Sequence, residues 1–561
     1  MAGGRDEPDA RRPPALTPGH RVRFPRPSLV ACGVVAAAFV TWSAWFIARS
    51  SHVSIDGRRY FVLFDDGMIS MRYAWNLAHG HGPVWNPGER VEGYSNPLMV
   101  VVMAAATLVA DKSVAVLLVQ LLGIVVALGA ACVAYRLAGF VYRDLGQPWR
   151  SVVQVAGFAW VLAYYPLAYW SLMGMETGLL TLLETLGVWL TMRLRARSEG
   201  RLVVVWGVTW ALAFLARPDA LLPFAVAVVW LALAPREGTG VLRRATALWP
   251  GLAIVGAAVV GLQAFRLAYY GAWVPNTYVL KMTGLPMSLR LEDGLRFIRP
   301  FLVSLAPAVV VAVFGLVLAF RWEKLLIVAV AAALAVYQVS IGGDFSNYWR
   351  MLAPGVAMLG VLVCGELVGA SRWVLARSLN AGAHRGRTVL ATGLALVGAL
   401  VCLGWADHAF YREVLFVAPA YSTGLNARDV DRAVAVERVM DGRGSVGVFF
   451  AGTVPYYTGL PAVDFFGKAD PHIARVAPDV SGSVSWDNMT SVPGHNKYDL
   501  TYSIEKLRPT YVQGFVWRRD DVTAWARDQY VVADVGGVTL YLLRDSGDVD
   551  WSQVDDVRTL P

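Results

Sequence analysis

"FDDGMISMRYAWNLAHGHGPVWNPGERVEGYSNPL", residues 64–98, follows directly on an apolar run near the start of the chain. It opens with two adjacent carboxylates, Asp65 and Asp66, and stays polar, aromatic and glycine-rich to its end. Such a stretch is unremarkable in a water-soluble domain. Here it is surrounded by a chain of 561 residues that is 56% hydrophobic and only 16% charged, with 21 Trp, so most of the polypeptide belongs in lipid and the molecule is polytopic. The question raised by residues 64–98 is therefore what a membrane protein does with carboxylates placed where the chain has just left the bilayer.

Composition narrows the classes. The four cysteines, Cys32, Cys132, Cys364 and Cys402, all lie in apolar runs, which leaves neither a disulfide framework nor a paired CxxC zinc site. The net charge of +9 comes from short basic clusters between apolar segments, the pattern of cytoplasmic membrane loops rather than of a nucleic-acid-binding surface. Residues 1–27, rich in Arg, Pro and Gly, read as a disordered cytoplasmic tail; the apolar run that follows lacks a small-residue cleavage site and reads as a retained anchor.

A spanning helix needs about 20 apolar residues. Spans are expected near 28–48, 113–140, 151–168, 176–193, 202–216, 219–234, 247–268, 300–320, 325–341, 351–369 and 388–405. The apolar segment 97–110 is short and runs into Asp111 and Lys112. If it spanned, Arg143 and Arg150 would lie opposite the N-terminal tail. If it is instead re-entrant or interfacial, the clusters Arg5–Arg26, Arg143/Arg150, Arg193–Arg201, Arg236–Arg244, Arg321/Lys324 and Arg372–Arg387 all fall on the cytoplasmic side. The second reading gives about eleven spans over residues 28–405, with interfacial helices in the first outer loop. Residues 406–561 are then extracytoplasmic and form an α/β domain, with strand-like stretches at 444–450, 509–516 and 530–543 and a helix-like stretch at 428–440.

With sidedness set, five outer connections carry the unusual polar residues. The first loop holds Asp65, Asp66, Arg72, Glu89, Arg90, Glu92, Tyr94, Ser95 and Asn96. "SLMGMET" supplies Glu176, and "LARPDALL" supplies Arg217 and Asp219. "YYGAWVPNTYVLK" supplies Asn276, Thr277 and Lys281, and "SIGGDFSNYWRMLAP" supplies Asp344, Asn347 and Arg350. Singly, each has a plainer reading as a solvated loop residue, a local ion pair such as Arg217 with Asp219, or a snorkelling cation such as Arg350. Their number on one side points to a shared water-filled cavity, because ionisable groups abutting spans are costly. Arg217, Lys281 and Arg350 suit an anionic phosphate, and the carboxylates suit proton abstraction from a hydroxyl. Aromatics such as Tyr73, Trp85, Tyr94, Tyr270, Trp273 and Tyr348 offer flat faces for a sugar or lipid, although an interfacial aromatic belt explains most of them equally well. A lipid-linked phosphate meeting a hydroxylated acceptor accounts for all three residue classes.

An aspartate pair opening the first outer loop of a multi-span core resembles the GT-C superfamily of membrane glycosyltransferases. More closely, the first loop together with "SLMGMET", "ARPDAL", "YYGAWVPNTYVLK", "GGDFSNYWRMLAP", "YYTGLPAVDFFGKADPHIAR" and "GHNKYDL" is similar, in order from residue 64 to about 500, to the bacterial family that includes the actinobacterial terminal arabinofuranosyltransferase. The resemblance implies a decaprenyl-phosphate-linked donor carrying arabinofuranose and an arabinan acceptor of the cell envelope, at the bacterial plasma membrane. It implies Asp65 as the catalytic candidate with Asp66 as its partner or alternative. Arg350, Lys281 and, less directly, Arg217 would hold the donor phosphate. Glu176, Asp219 and Asp344 would orient sugar hydroxyls or neighbouring groups, with Tyr94, Asn96, Asn276 and Thr277 among the substrate-binding residues. The C-terminal domain is implied to bind carbohydrate, with His495 and Lys497 of "GHNKY" on one loop; docking of that loop onto the membrane core is an equal alternative. "VEGYSNP" departs from the arabinofuranosyltransferase pattern, which continues from its glutamate into Ala-Asn-type residues, and resembles a broader branch of the family. The sugar stays open; the reaction class does not change.

No cofactor is expected. Asp65 and Asp66 could bridge a divalent metal, but an adjacent pair without further ligand spacing does not define a metal site. The rival readings are a transferase for another lipid-linked sugar, a lipid-linked-sugar transporter, whose site would lie near the midplane and often between repeats that this sequence lacks, and a wall-polymer-binding protein for which the spans are only an anchor.

Overall fold

In the computed structural model the described residues are 27–196, 199–235, 241–378, 384–481, 489–515 and 520–560. The expected N-terminal tail falls, but for Pro27, outside them. The chain opens with α1 (Pro27–Ser50) and a small ribbon, β1 (His52–Val53) with β2 (Arg59–Tyr60). The first loop then folds into α2 (Asp65–Ala78) and α3 (Pro97–Val109) before α4 (Lys112–Val141). The bundle continues with α5 (Trp149–Ala163), α6 (Tyr165–Leu172), α7 (Thr177–Ala196), α8 (Gly200–Ala216), α9 (Leu221–Leu233), α10 (Val241–Tyr270), α11 (Asn276–Met282), α12 (Met287–Leu318), α13 (Trp322–Ser340), α14 (Ala353–Ser378) and α15 (His384–Ala406).

Each of the eleven expected spans is occupied by helix. Among the described residues seven helices are long and apolar enough to cross a membrane alone, and up to eight if α5 and α6, bent by 55° at Tyr164, are one broken span. This is a multi-pass membrane protein. The remaining helices α7, α8 and α9 are either short or interrupted by charge, such as Glu184, Arg193 and Arg195 in α7.

The short helix α3 is too short to cross by itself. At about 1.5 Å per residue its 13 residues reach about 20 Å, less than the hydrocarbon thickness. Both its ends are also tied to the same end of the bundle. Asn96 at its start donates to Glu176 (2.9 Å), while Lys112 just beyond it donates to the carbonyl of Tyr457 in the C-terminal segment (2.6 Å). Basic residues from three of the clusters meet at the opposite end of α4: Arg143 and Arg195 both reach Glu323 (3.3 and 3.2 Å), and Arg321 donates to the carbonyl of Val141 (2.6 Å).

The C-terminal segment comprises α16 (Tyr411–Val414), α17 (Thr423–Met440), β3 (Val446–Val448), α18 (Thr453–Thr458), β4 (Ala462–Asp464), β5 (Tyr511–Val512), α19 (Asp520–Gln529), β6 (Tyr530–Val535), β7 (Val538–Leu543) and β8 (Asp556–Thr559). Its six strands lie in the order β4-β3-β5-β7-β6-β8, parallel across the first three and antiparallel thereafter. The stretch 530–543 is two strands rather than one. Gly536 and Gly537 both take positive φ (61° and 80°), the conformation a two-residue hairpin turn requires, and Val535 pairs with Val538.

One face of this sheet shares its apolar core with the first loop. Val446, Val448, Leu540 and Leu542 belong to the same buried cluster as Met68 and Met71 of α2, Met103 of α3 and Val116 of α4. Burial of that shared surface seats the sheet directly over the aspartate pair.

Candidate active site

Asp65 and Asp66 are the first two residues of α2, where the helix dipole and free backbone N–H groups favour negative charge. The helix start is fixed from two sides: Phe64 N–H donates to Met173 O (3.1 Å), and Arg72, one to two turns on, donates to the carbonyls of Trp85 (2.6 Å) and Leu460 (2.7 Å). Arg72, part of the polar first loop, is thus a strut between that loop and the C-terminal segment.

The two carboxylates have different surroundings. Asp65 Oδ1 accepts from Gly452 N–H (2.9 Å) at the start of α18. Burial pushes its carboxyl up to about 7, against the pull of Lys468. Asp66 accepts from Arg350 Nη1 through Oδ2 (2.9 Å) and from Lys468 Nζ through Oδ1. Burial alone would raise Asp66 as well, but Lys468, Arg350 and Lys281 hold it well below the ordinary carboxylate range. Neighbouring groups of one type are thereby driven apart, one a permanent anion and the other able to exchange a proton near neutrality.

The cations are organised behind them. Arg350 is gripped by Asp344 in a fork, Nε to Oδ2 at 2.7 Å and Nη2 to Oδ1 at 3.1 Å. Arg217 pairs with Glu176 (2.6 Å) and Asp219 (2.7 Å). Lys281, on the last turn of α11, makes no hydrogen bond or ion pair with any described residue; burial and Arg350 lower it to about 8. The sequence expectations for Glu176, Asp219 and Asp344 are refined: each carboxylate is spent on an arginine.

Two cavities meet at this cluster. One, of about 320 Å³, has a cationic floor of Arg217, Lys281 and Arg350 and apolar walls from Phe214, Val259, Leu262 and Tyr337 of α8, α10 and α13; Thr277 also lines it. The other, of about 430 Å³, contains Asp65, Asp66 and Lys468, with Phe64, Phe345, Tyr421, Phe450 and His495 around them. A narrow space of about 40 Å³, bordered by Tyr94, Asn96, Asp66, Lys281, Arg350 and Lys468, lies between the two.

Several expected site residues take other parts. Asn276 spends its side-chain N–H groups on the carbonyls of Gly467 (2.9 Å), Lys468 (3.0 Å) and Asp470 (3.3 Å), so it clamps a loop instead of offering its amide to a substrate. Lys497 donates to the carbonyls of Val279 (3.2 Å) and Ala474 (2.8 Å) and to Thr283 Oγ1 (2.9 Å): of the two alternatives for "GHNKY", docking is what Lys497 does. His495 differs, standing at the cavity wall against Phe466 and Phe345 (ring centroids 5.2 and 5.9 Å), lowered by burial to about 4 and hence neutral. Tyr94 meets Tyr270 hydroxyl to hydroxyl (3.1 Å). Asn96 is held between Ser70 (3.2 Å) and Glu176 (2.9 Å). Among the described residues no three His, Cys, Asp or Glu side chains converge as metal ligands.

Sequence reasoning missed Lys468. It lies 402 positions from Asp66, and an isolated Lys in a loop reads as solvated. The available signal was the neighbouring "DFFGKAD", where an Asp and a Gly frame a tight turn.

The helical bundle with its C-terminal sheet is a fold shared with solved membrane-protein structures. ArnT from Cupriavidus metallidurans bound to undecaprenyl phosphate superposes with a TM-score of 0.52 at 14% identity, covering 77% of this chain and 85% of that one. The archaeal oligosaccharyltransferase AglB from Archaeoglobus fulgidus, in complex with an inhibitory peptide and a dolichol-phosphate, gives 0.53 at 11% identity over 92% and 74%. In sequence, the chain is similar to the terminal beta-(1->2)-arabinofuranosyltransferase of Mycobacterium tuberculosis, with 27% identity over 376 residues, 60% of this chain and 55% of that protein. The chain spans about half the length of the curated relatives it matches. No family model matches it.

Proposed function

We propose that this chain is a polyprenyl-phosphate-sugar-dependent glycosyltransferase of the extracytoplasmic face of a bacterial plasma membrane, with its N-terminus cytoplasmic and residues 406–561 outside. The observation that carries this reading is a narrow space bordered by Asp66, Arg350 and Lys468 that lies between two cavities, one cationic and walled by apolar bundle helices, the other holding Asp65 among aromatic rings. The first suits a lipid-linked phosphate: Arg350 and Arg217 offer forks, and Lys281 offers an ammonium with no partner to surrender. The second suits a sugar acceptor stacked on aromatic faces.

In the reaction the acceptor hydroxyl gives its proton to Asp65 as its oxygen bonds to the anomeric carbon. The bond from that carbon to the phosphate oxygen breaks, and its electron pair departs with the polyprenyl phosphate, where Arg350 and Lys281 meet the developing charge. This is the inverting form. The donor we propose is decaprenyl-phospho-arabinose and the acceptor a cell-wall arabinan, on the similarity to the terminal arabinofuranosyltransferases. Location of the polar cluster at one end of the bundle supports transfer over alternating-access transport.

The test is transfer of label from decaprenyl-phospho-[¹⁴C]arabinose to a short synthetic arabinan by purified protein, wild type beside Asp65→Asn. Incorporation lost in the variant supports the whole reading. Donor binding without incorporation redirects it to another sugar or acceptor, and failure to bind any polyprenyl-phosphate sugar overturns it.

A further inference from the structure

The loop after β4 is largely buried and is held from two sides. From within, the Asp464 carboxylate accepts from the backbone N–H groups of Phe466 (3.0 Å), Gly467 (3.1 Å) and Ala469 (2.8 Å). Gly467 takes φ 73°, and a Cβ there would lie 2.6 Å from Ile473 Cβ, so only glycine lets the turn close. From without, Asn276 binds three carbonyls of the same loop. First-loop Gly93 also packs closely on it, leaving no room for a side chain: a Cβ there would stand 2.8 Å from Lys468 O. One side chain projects from this clamped turn into the space between the two cavities, that of Lys468, and its Nζ meets Asp66 Oδ1.

We propose that Lys468 is a positioning residue for glycosyl transfer, supplied to the membrane site by the C-terminal segment: its ammonium pairs with Asp66 and is the cation that faces Asp65, the group that takes the acceptor proton. The inference rests on the transferase reading. It also gives the C-terminal segment a part in the chemistry beyond carbohydrate binding or docking.

The groups around the pair define what its removal does. Asp65 faces Asp66 on its own helix, Asp429 of α17, the Gly452 N–H and Lys468; among these only Lys468 is a cation. Asp66 faces Lys468, Arg350 and Lys281, so it keeps two cations when Lys468 is lost. His495 nearby is neutral and adds no charge. Loss of Lys468 therefore leaves Asp65 beside two carboxylates with no opposing cation, and its carboxyl holds its proton to higher pH. An opposite charge within about 4–6 Å is worth about one to three pH units to a carboxylate.

The experiment compares wild type, Lys468→Met and Lys468→Arg in transfer from the polyprenyl-phospho sugar between pH 5.5 and 9. The acidic limb of kcat/KM is expected to move up by about one unit or more in Lys468→Met, a loss of about tenfold or more at pH 6 that closes at high pH, and to return in Lys468→Arg. A uniform fall at every pH with the limb unmoved would show a merely structural role and overturn the proposal. Infrared titration of the carboxyl band, wild type minus Asp65→Asn, reads the same shift without turnover; an unmoved carboxyl in folded Lys468→Met protein also overturns it. If wild type binds no polyprenyl-phospho sugar while that carboxyl does move, the transferase reading fails and the electrostatic part of the inference stands.

Discussion

Asp66 and Arg350, 284 positions apart, meet at 2.9 Å, and the same guanidinium is gripped by Asp344 through its other face. One arginine therefore ties the first loop to the α13–α14 connection and fixes this cation relative to the carboxylates. The predictions concern the groups arranged around this contact.

Activity should depend on the ionisation of Asp65. The carboxyl is pushed up to about 7, so below that pH it already holds a proton and cannot accept another. The expected profile of kcat/KM climbs about tenfold per pH unit on its acidic side and levels off above about 7. A profile flat from pH 5 to 8 would remove Asp65 as the base.

Gly452→Ala should cost transfer without breaking a φ constraint, because Gly452 sits at φ −95°, open to any residue. The obstacle is space: an added Cβ would lie 2.6 Å from Asp65 Oδ1 and 2.7 Å from Met68 Cβ. Displacing the carboxylate by about 1 Å is expected to lower kcat about a hundredfold. Turnover equal to wild type would mean the approach of α18 to α2 is looser than described.

Lys281 and Arg217 are both cations lining the 320 Å³ cavity proposed for the donor, yet their removal should read differently. Lys281→Met strips no carboxylate of its partner, so the melting temperature is expected to stay near wild type while donor affinity falls about tenfold or more, the worth of one charged hydrogen bond. Arg217→Met leaves Glu176 and Asp219 buried without their partner and should cost about 3–5 kcal/mol of stability. Donor titration and thermal unfolding in the same detergent separate the two. Equal destabilisation by both variants would contradict the finding that the Lys281 side chain has no ion-pair partner among the described residues.

Transfer should need no divalent metal. Both oxygens of Asp66 are engaged by cations, Lys281 stands close by, and a divalent ion approaching Asp66 would meet three like charges. Protein dialysed against EDTA is expected to match protein supplied with Mg²⁺ or Mn²⁺ within twofold. Activity lost to the chelator and restored by Mn²⁺ would reverse this prediction.

Much of the architecture is written locally. Apolar stretches long enough to span lie at the positions of the helices because about 20 residues of uninterrupted hydrophobicity are a property of the segment alone. The alternation of basic and polar connections favoured a reading in which 97–110 does not cross, and the ties at Asn96 and Lys112 are consistent with it. The aspartate pair, Arg217, Lys281 and Arg350 were legible as one cluster because each sits at a span end on the same side. Glu176, Asp219 and Asp344 were legible as members of that cluster but not as partners of particular arginines, since side-chain pairing is set by packing angles.

What only the tertiary structure decided is which distant groups touch. Lys468 meets Asp66 across 402 positions, Asn276 clamps the loop that carries Lys468, and the sheet shares its core with α2 and α3. The division of the aspartates into a permanent anion and a proton acceptor follows from those contacts, because a carboxylate's proton affinity is fixed by the charges and solvent within a few ångströms of it. The sequence by itself determined a membrane bundle with its chemistry at one end; burial of an apolar surface shared between two remote segments decided how that chemistry is assembled.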